Sequence, residues 1–134
     1  MELIYQKGEH DCAIAAIAMA ASKSYEEVYG RFGCYARAGR TPGVQIIKDW
    51  FEDQGFHIEM REFASPAFAE NHVVKVMWRC PHYVAMDAAG KVYDPYPPYI
   101  DLPNRDAYAG DHGTLDHPDF TEIFWIMGLT RKRS

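Results

Sequence analysis

The chain has 134 residues, 48% of them hydrophobic and 14% aromatic, a length for one domain with enough apolar mass to form a core. A formal net charge of -5, with basic residues gathered only in the solvated tail Arg131-Lys132-Arg133, argues against a nucleic-acid surface. No apolar run approaches the roughly 20 residues that cross a bilayer, and Met1-Glu2-Leu3-Ile4 lacks a basic region ahead of an apolar one, so the expectation is a soluble, cytoplasmic protein without a membrane partner.

Residues 13–21, Ala-Ile-Ala-Ala-Ile-Ala-Met-Ala-Ala, are good helix formers with no polar side chain on any face. That is the pattern of a helix enclosed by protein. Asp11 stands where it can cap the first-turn amides, so the helix is expected to begin at about Cys12. Ser24 followed by Glu27 forms a capping-box pattern for a second helix through about Phe32. Thr41-Pro42 reads as the start of a third, with Pro at the first helical position, an apolar stripe of Val44, Ile47, Trp50 and Phe51, and Gly55 at its end.

The period then changes. Phe56 to Phe63, Val73 to Trp78, Tyr83 to Asp87, Val92 to Tyr96 and Ile123 to Leu129 are short β-rich runs. Gly90 marks a hairpin, the Pro-rich stretch from Tyr93 to Pro98 ends its second strand, and Pro103 to Pro118 is a polar loop. Helices first and strands afterwards predict an α+β fold, a single domain over residues 1–134 with no internal repeat.

Three cysteines, Cys12, Cys34 and Cys80, are an odd number without regular spacing, so at least one thiol is expected to be free. Cys12 falls in the first turn of the enclosed helix, where unpaired amides and the positive end of the macrodipole stabilise a thiolate. The bland reading of such a cysteine is an inert, buried one. The hairpin supplies partners. A three-residue loop, Ala88-Ala89-Gly90, with a left-handed Gly pairs Asp87 with Lys91 and sets Val84 opposite Asp94. His82 and Asp94 are then diagonal neighbours on one face, within reach of a carboxylate that fixes the imidazole tautomer. A one-residue slip would separate them. Gln6 lies close enough ahead of Cys12 for its side-chain amide to meet a reacting carbonyl oxygen, with the Cys12 backbone N–H as second donor; its bland reading is a surface glutamine.

Gln6 through Cys12, the apolar helix after Asp11-Cys12, the passage ending at Gly55-Phe56, His82-Tyr83-Val84, Asp94-Pro95 and the closing run Phe124-Trp125-Ile126-Met127-Gly128-Leu129 together resemble the bacteriocin-processing, double-glycine leader peptidases and their stand-alone relatives, a branch of the papain-like cysteine peptidases. The resemblance covers nearly the whole chain. It implies a papain-like fold in which N-terminal helices pack on a C-terminal antiparallel sheet. It also implies a thiol hydrolase acting through an acyl-enzyme on a peptide or protein substrate, with Cys12 as nucleophile, His82 as general base, Asp94 as its orienting partner, Gln6 in the oxyanion hole and no cofactor. Ala13 departs from the family's usual Gly and predicts a narrower cleft beside the nucleophile, with Tyr93, Tyr96 and Tyr99 adding to its walls.

Other readings use the same residues differently. A domain of this fold can bind a peptide segment without cleaving it, and an amidase or acyltransferase acting on a non-peptide amide would use the same four groups. His10, Cys12, Cys80 and His82 offer metal-ligand types, but their spacings do not match common zinc sites. Asp111, His112, Asp116 and His117 read as part of a solvated loop.

Overall fold

The apolar run forms α1 (Cys12–Ala21), and every residue of it is buried. The protein is described here from a computed structural model, over residues 1–62, 67–78, 80–96, 114–115 and 120–133. α1 packs chiefly on the strand that carries His82 and on the second helix, so its side chains meet protein all round, which explains the absence of a polar face.

α2 (Tyr25–Arg37) opens as expected, with the Ser24 hydroxyl accepting from the Glu27 amide at 3.1 Å. It runs on past Phe32 because Gly33 does not act as a stop. The Tyr29 ring lies where a Gly33 Cβ would stand, 2.6 Å away, so the glycine makes room for the aromatic side chain. α3 (Val44–Asp53) starts later than Pro42. Gly43 takes the N-cap position in an extended conformation, and Pro42 belongs to the lead-in. Ile47, Trp50 and Phe51 are buried as the stripe predicts, whereas Val44 is exposed.

Five strands follow: β1 (Phe56–Arg61), β2 (Asn71–Trp78), β3 (Cys80–Asp87), β4 (Val92–Tyr93) and β5 (Glu122–Arg131). They form one antiparallel sheet in the order β1-β5-β2-β3-β4, with the last strand inserted beside the first. Val73, Tyr83, Met127 and Leu129 join the core with the helices. Val74, Val76, Val84, Met86 and Ile126 form a second cluster with Leu115 and Phe120. Coverage on both faces is why β3 reads as a continuous apolar run instead of an alternation. The expected α+β class is the one observed.

β5 extends beyond Leu129 through Arg131, whose amide donates to Glu70 Oε1 at 2.7 Å and whose guanidinium lies over the Phe56 ring. Part of the basic tail is therefore strand. Phe63, and the polar loop from Pro103 to Pro118 apart from residues 114–115, lie outside the described residues. Among the described residues no helix is long and apolar enough to cross a membrane.

Candidate active site

The β3–β4 hairpin sets the geometry. Asp87 N–H donates to Lys91 O at 3.0 Å, Gly90 adopts φ +85, and Asp87 Oδ1 accepts from the Ala89 and Lys91 amides at 2.9 and 3.0 Å. Ala85 pairs with Tyr93 and Met86 with Val92, the register read from the loop length. Val84 therefore faces Asp94, and His82 reaches it diagonally: His82 Nε2 and Asp94 Oδ1 are 2.8 Å apart. β4 stops at Tyr93, and the Tyr96 amide donates to the same Asp94 oxygen at 2.8 Å, tying the turn after the strand to the carboxylate.

Cys12 also acts on the His82 ring, whose Nε2 serves Asp94, and adds to its proton affinity. Thiol, imidazole and carboxylate are all three buried. Trp78 and Tyr96 flank the ring, with centroids 5.4 and 6.4 Å from it, and exclude water. Burial by itself disfavours an imidazolium here. The charge and hydrogen bond of Asp94, followed by those of Cys12, more than reverse it and raise His82 to about 10.

Gln6 is buried, and its backbone N–H donates to Pro95 O at 2.8 Å, next to Asp94. Its side-chain Nε2 donates to Gly8 O at 2.7 Å, which commits one of its two amide hydrogens. Gln6 Oε1 and Asp94 Oδ2 are buried without a hydrogen-bond partner among the described residues.

Asp11 does not do what its position predicts. It occupies the N-cap of α1, but its side chain makes no capping bond. The carboxylate turns back to accept from Lys7 N at 2.7 Å, Gly8 N at 2.8 Å and the Tyr25 hydroxyl at 2.6 Å. Three donors outcompete the cap, and the first-turn amides of α1 receive nothing from Asp11. Ala13 is also a correction. It is 1% exposed and belongs to the helix–sheet core, so its methyl faces protein and does not narrow an open cleft. Of the tyrosines expected to wall the cleft, Tyr93 is buried against Met19 and Ala85, Tyr96 lies by His82, and Tyr99 falls outside the described residues.

Cys34 and Cys80 are exposed, as is His10, while Cys12 and His82 are buried. Among the described residues no group of three or more His, Cys, Asp or Glu side chains is arranged to hold a metal. Asp111, His112, Asp116 and His117 lie outside the described residues. Sequence reasoning did not place Trp78 against His82, because the β2–β3 register that brings it there has no turn signature. It also missed the link from Asp11 to Tyr25, which joins two helices.

No family profile matches the chain, and no curated protein does. A solved structure, the peptidase domain of Streptococcus ComA, described as a bi-functional ABC transporter involved in a quorum sensing pathway, is 15% identical and covers 98% of each chain at a TM-score of 0.64. At that identity the likeness bears on the fold, and this chain has the α+β fold of that peptidase domain.

Proposed function

We propose that this protein is a cysteine peptidase that hydrolyses a peptide or isopeptide bond through a thioester acyl-enzyme. The observation that carries the reading is one buried imidazole, His82, held at 2.8 Å by a buried carboxylate and raised in proton affinity by both that carboxylate and a thiol at a helix start. A likeness in fold to a peptidase domain supports the reaction class.

In this reading Cys12 attacks the scissile carbonyl as a thiolate, its proton held by His82, and Asp94 stabilises the resulting imidazolium. Negative charge moves to the carbonyl oxygen. The Cys12 backbone N–H, free of any cap from Asp11, and the second amide hydrogen of Gln6 are the donors for it. His82 then gives its proton to the leaving amine, and the thioester remains on Cys12. Water, deprotonated by His82, attacks the thioester; the acid product leaves and the thiol is restored. Trp78 and Tyr96 keep the imidazole in a water-poor setting where the charge of Asp94 acts at full strength. The partner is a peptide or protein that presents an extended segment to the start of α1.

The test is to profile the protein on a library of extended peptides and to trap the reaction by acid quench for mass spectrometry. Cleavage with a transient acyl adduct on Cys12 is the expected result. Cleavage that persists in Cys12→Ala, or a library left intact, contradicts it.

A further inference from the structure

We propose that Asp11 is a positioning residue for the oxyanion site: by clasping the amides of Lys7 and Gly8 it fixes the direction of the Gln6 side-chain amide, and Tyr25 on α2 holds its carboxylate off the helix. This rests on the thiol-hydrolase reading above and adds residues that reading does not contain.

The path is continuous. The Tyr25 hydroxyl donates to Asp11 Oδ2 at 2.6 Å, Asp11 Oδ1 accepts from Gly8 N at 2.8 Å, and Gly8 O accepts from Gln6 Nε2 at 2.7 Å. One peptide unit beyond Asp11 is Cys12 itself. A carboxylate only 3% exposed must be well supplied with donors, and these three are what it has in place of the helix amides. The consequence is double. With Asp11 turned away, the first-turn amides stay available to a developing oxyanion. With Gly8 held, its carbonyl engages one hydrogen of the Gln6 amide and so orients the other, because the NH2 group is planar.

Tyr25 is suited to its part. Burial first, and then the bond to Asp11, push its phenol well above its usual range, so it stays a donor at any working pH. Its ring is stacked on Tyr29 at 5.8 Å and lies under the Lys7 ammonium at 4.7 Å, which ties α2 to the segment before the nucleophile.

Two reactions of one thiol separate positioning from general damage. Iodoacetamide alkylates Cys12 by displacing iodide and builds no oxyanion. p-Nitrophenyl acetate acylates it through a tetrahedral oxyanion and releases p-nitrophenolate. Both rates are measured in a Cys34→Ser, Cys80→Ser background, so that Cys12 is the thiol read out. Gln6→Ala should slow acylation by about a hundredfold to a thousandfold. Asp11→Asn, which turns one acceptor oxygen into a donor, should slow it by about a hundredfold, as a misplaced group does. Alkylation should stay close to the parent rate in both. The double variant Gln6→Ala, Asp11→Asn should lose much less than the product of the two single losses, since Asp11→Asn acts largely through the donor that Gln6→Ala removes. Tyr25→Phe keeps the ring stack and should give a smaller loss of the same kind; it carries the test if Asp11→Asn does not fold. Losses that multiply in the double variant, or alkylation falling in parallel with acylation, would overturn the proposal. A parent protein that is alkylated but never acylated at Cys12 defeats the thiol-hydrolase reading itself, and this inference with it.

Discussion

Two histidines are buried on neighbouring strands, and burial has opposite consequences for them. At one end of the β2–β3 ladder His72 lies opposite Met86; toward the other, His82 lies opposite Val76. His72 Nε2 accepts from the amides of Phe68 and Ala69 at 3.1 and 3.2 Å, so the proton must sit on Nδ1, which donates to Met86 O at 3.2 Å. That ring is a neutral staple, and burial above all, helped by Arg61, lowers its affinity for a second proton. His82 meets a carboxylate and a thiol instead, and is raised. Desolvation sets the stakes for a buried imidazole, and the partner decides the sign.

The contrast can be broken most forcefully by removing the rings. His82→Ala should bring turnover on a cleavable peptide close to zero while the fold persists, because the same group activates the thiol and protonates the leaving amine. His72→Ala should instead leave turnover at low temperature and lower stability in urea unfolding. Each buried amide or carbonyl left unpaired costs about 1–3 kcal/mol. The reverse pattern would exchange their roles.

Asp94→Asn is the next largest. Asp94 is fully buried, and without its charge the largest influence left on His82 is burial, which lowers its proton affinity. Removing such a carboxylate typically costs turnover about ten-thousandfold. From the role of each group alone, Asp94 ranks as the mildest of the four losses, on the condition that the thiolate–imidazolium pair forms without it; burial works against that condition. The loss is therefore expected to exceed that of Gln6→Ala, at about a hundredfold to a thousandfold. NMR of the imidazole carbons should show the His82 titration moving down in Asp94→Asn while that of His72 stays in place.

The smallest effect is on stability against pH. His82 is raised when folded, so its contribution is complete below its ordinary value of 6.5 and is lost as pH rises through about 10. His72 is lowered, so its contribution is complete above 6.5 and is lost as pH falls below it. Urea unfolding across pH should show the alkaline slope flattened in His82→Gln and the acid slope flattened in His72→Gln. A flattening on the same side in both would contradict the opposite signs.

What could be read from the sequence was local. The composition of residues 13–21 specified a helix with no free face, and Ala88-Ala89-Gly90 specified a loop whose register brought His82 to Asp94. Both depend on neighbours in the chain. Asp11 was misread because a cap pattern cannot reveal a competing donor on another helix, here the Tyr25 hydroxyl. That α2 continues past Phe32 through Gly33, whose missing side chain leaves space for the ring of Tyr29, is a packing fact. Trp78 beside His82 and the Met86 carbonyl bonded to His72 likewise come from strand pairing between segments with no connecting turn signal.

The most direct measurement is competition among the three thiols. Cys34 and Cys80 are exposed and Cys12 is buried, so accessibility alone ranks Cys12 last. Limiting iodoacetamide at pH 6, where an ordinary thiol is almost wholly protonated, followed by peptide mapping, reads the ranking directly. If Cys12 forms an ion pair with a His82 supported by Asp94, it is alkylated first, and Asp94→Asn abolishes that lead. Cys34 and Cys80 labelled ahead of Cys12 would contradict a reactive thiol at the start of α1.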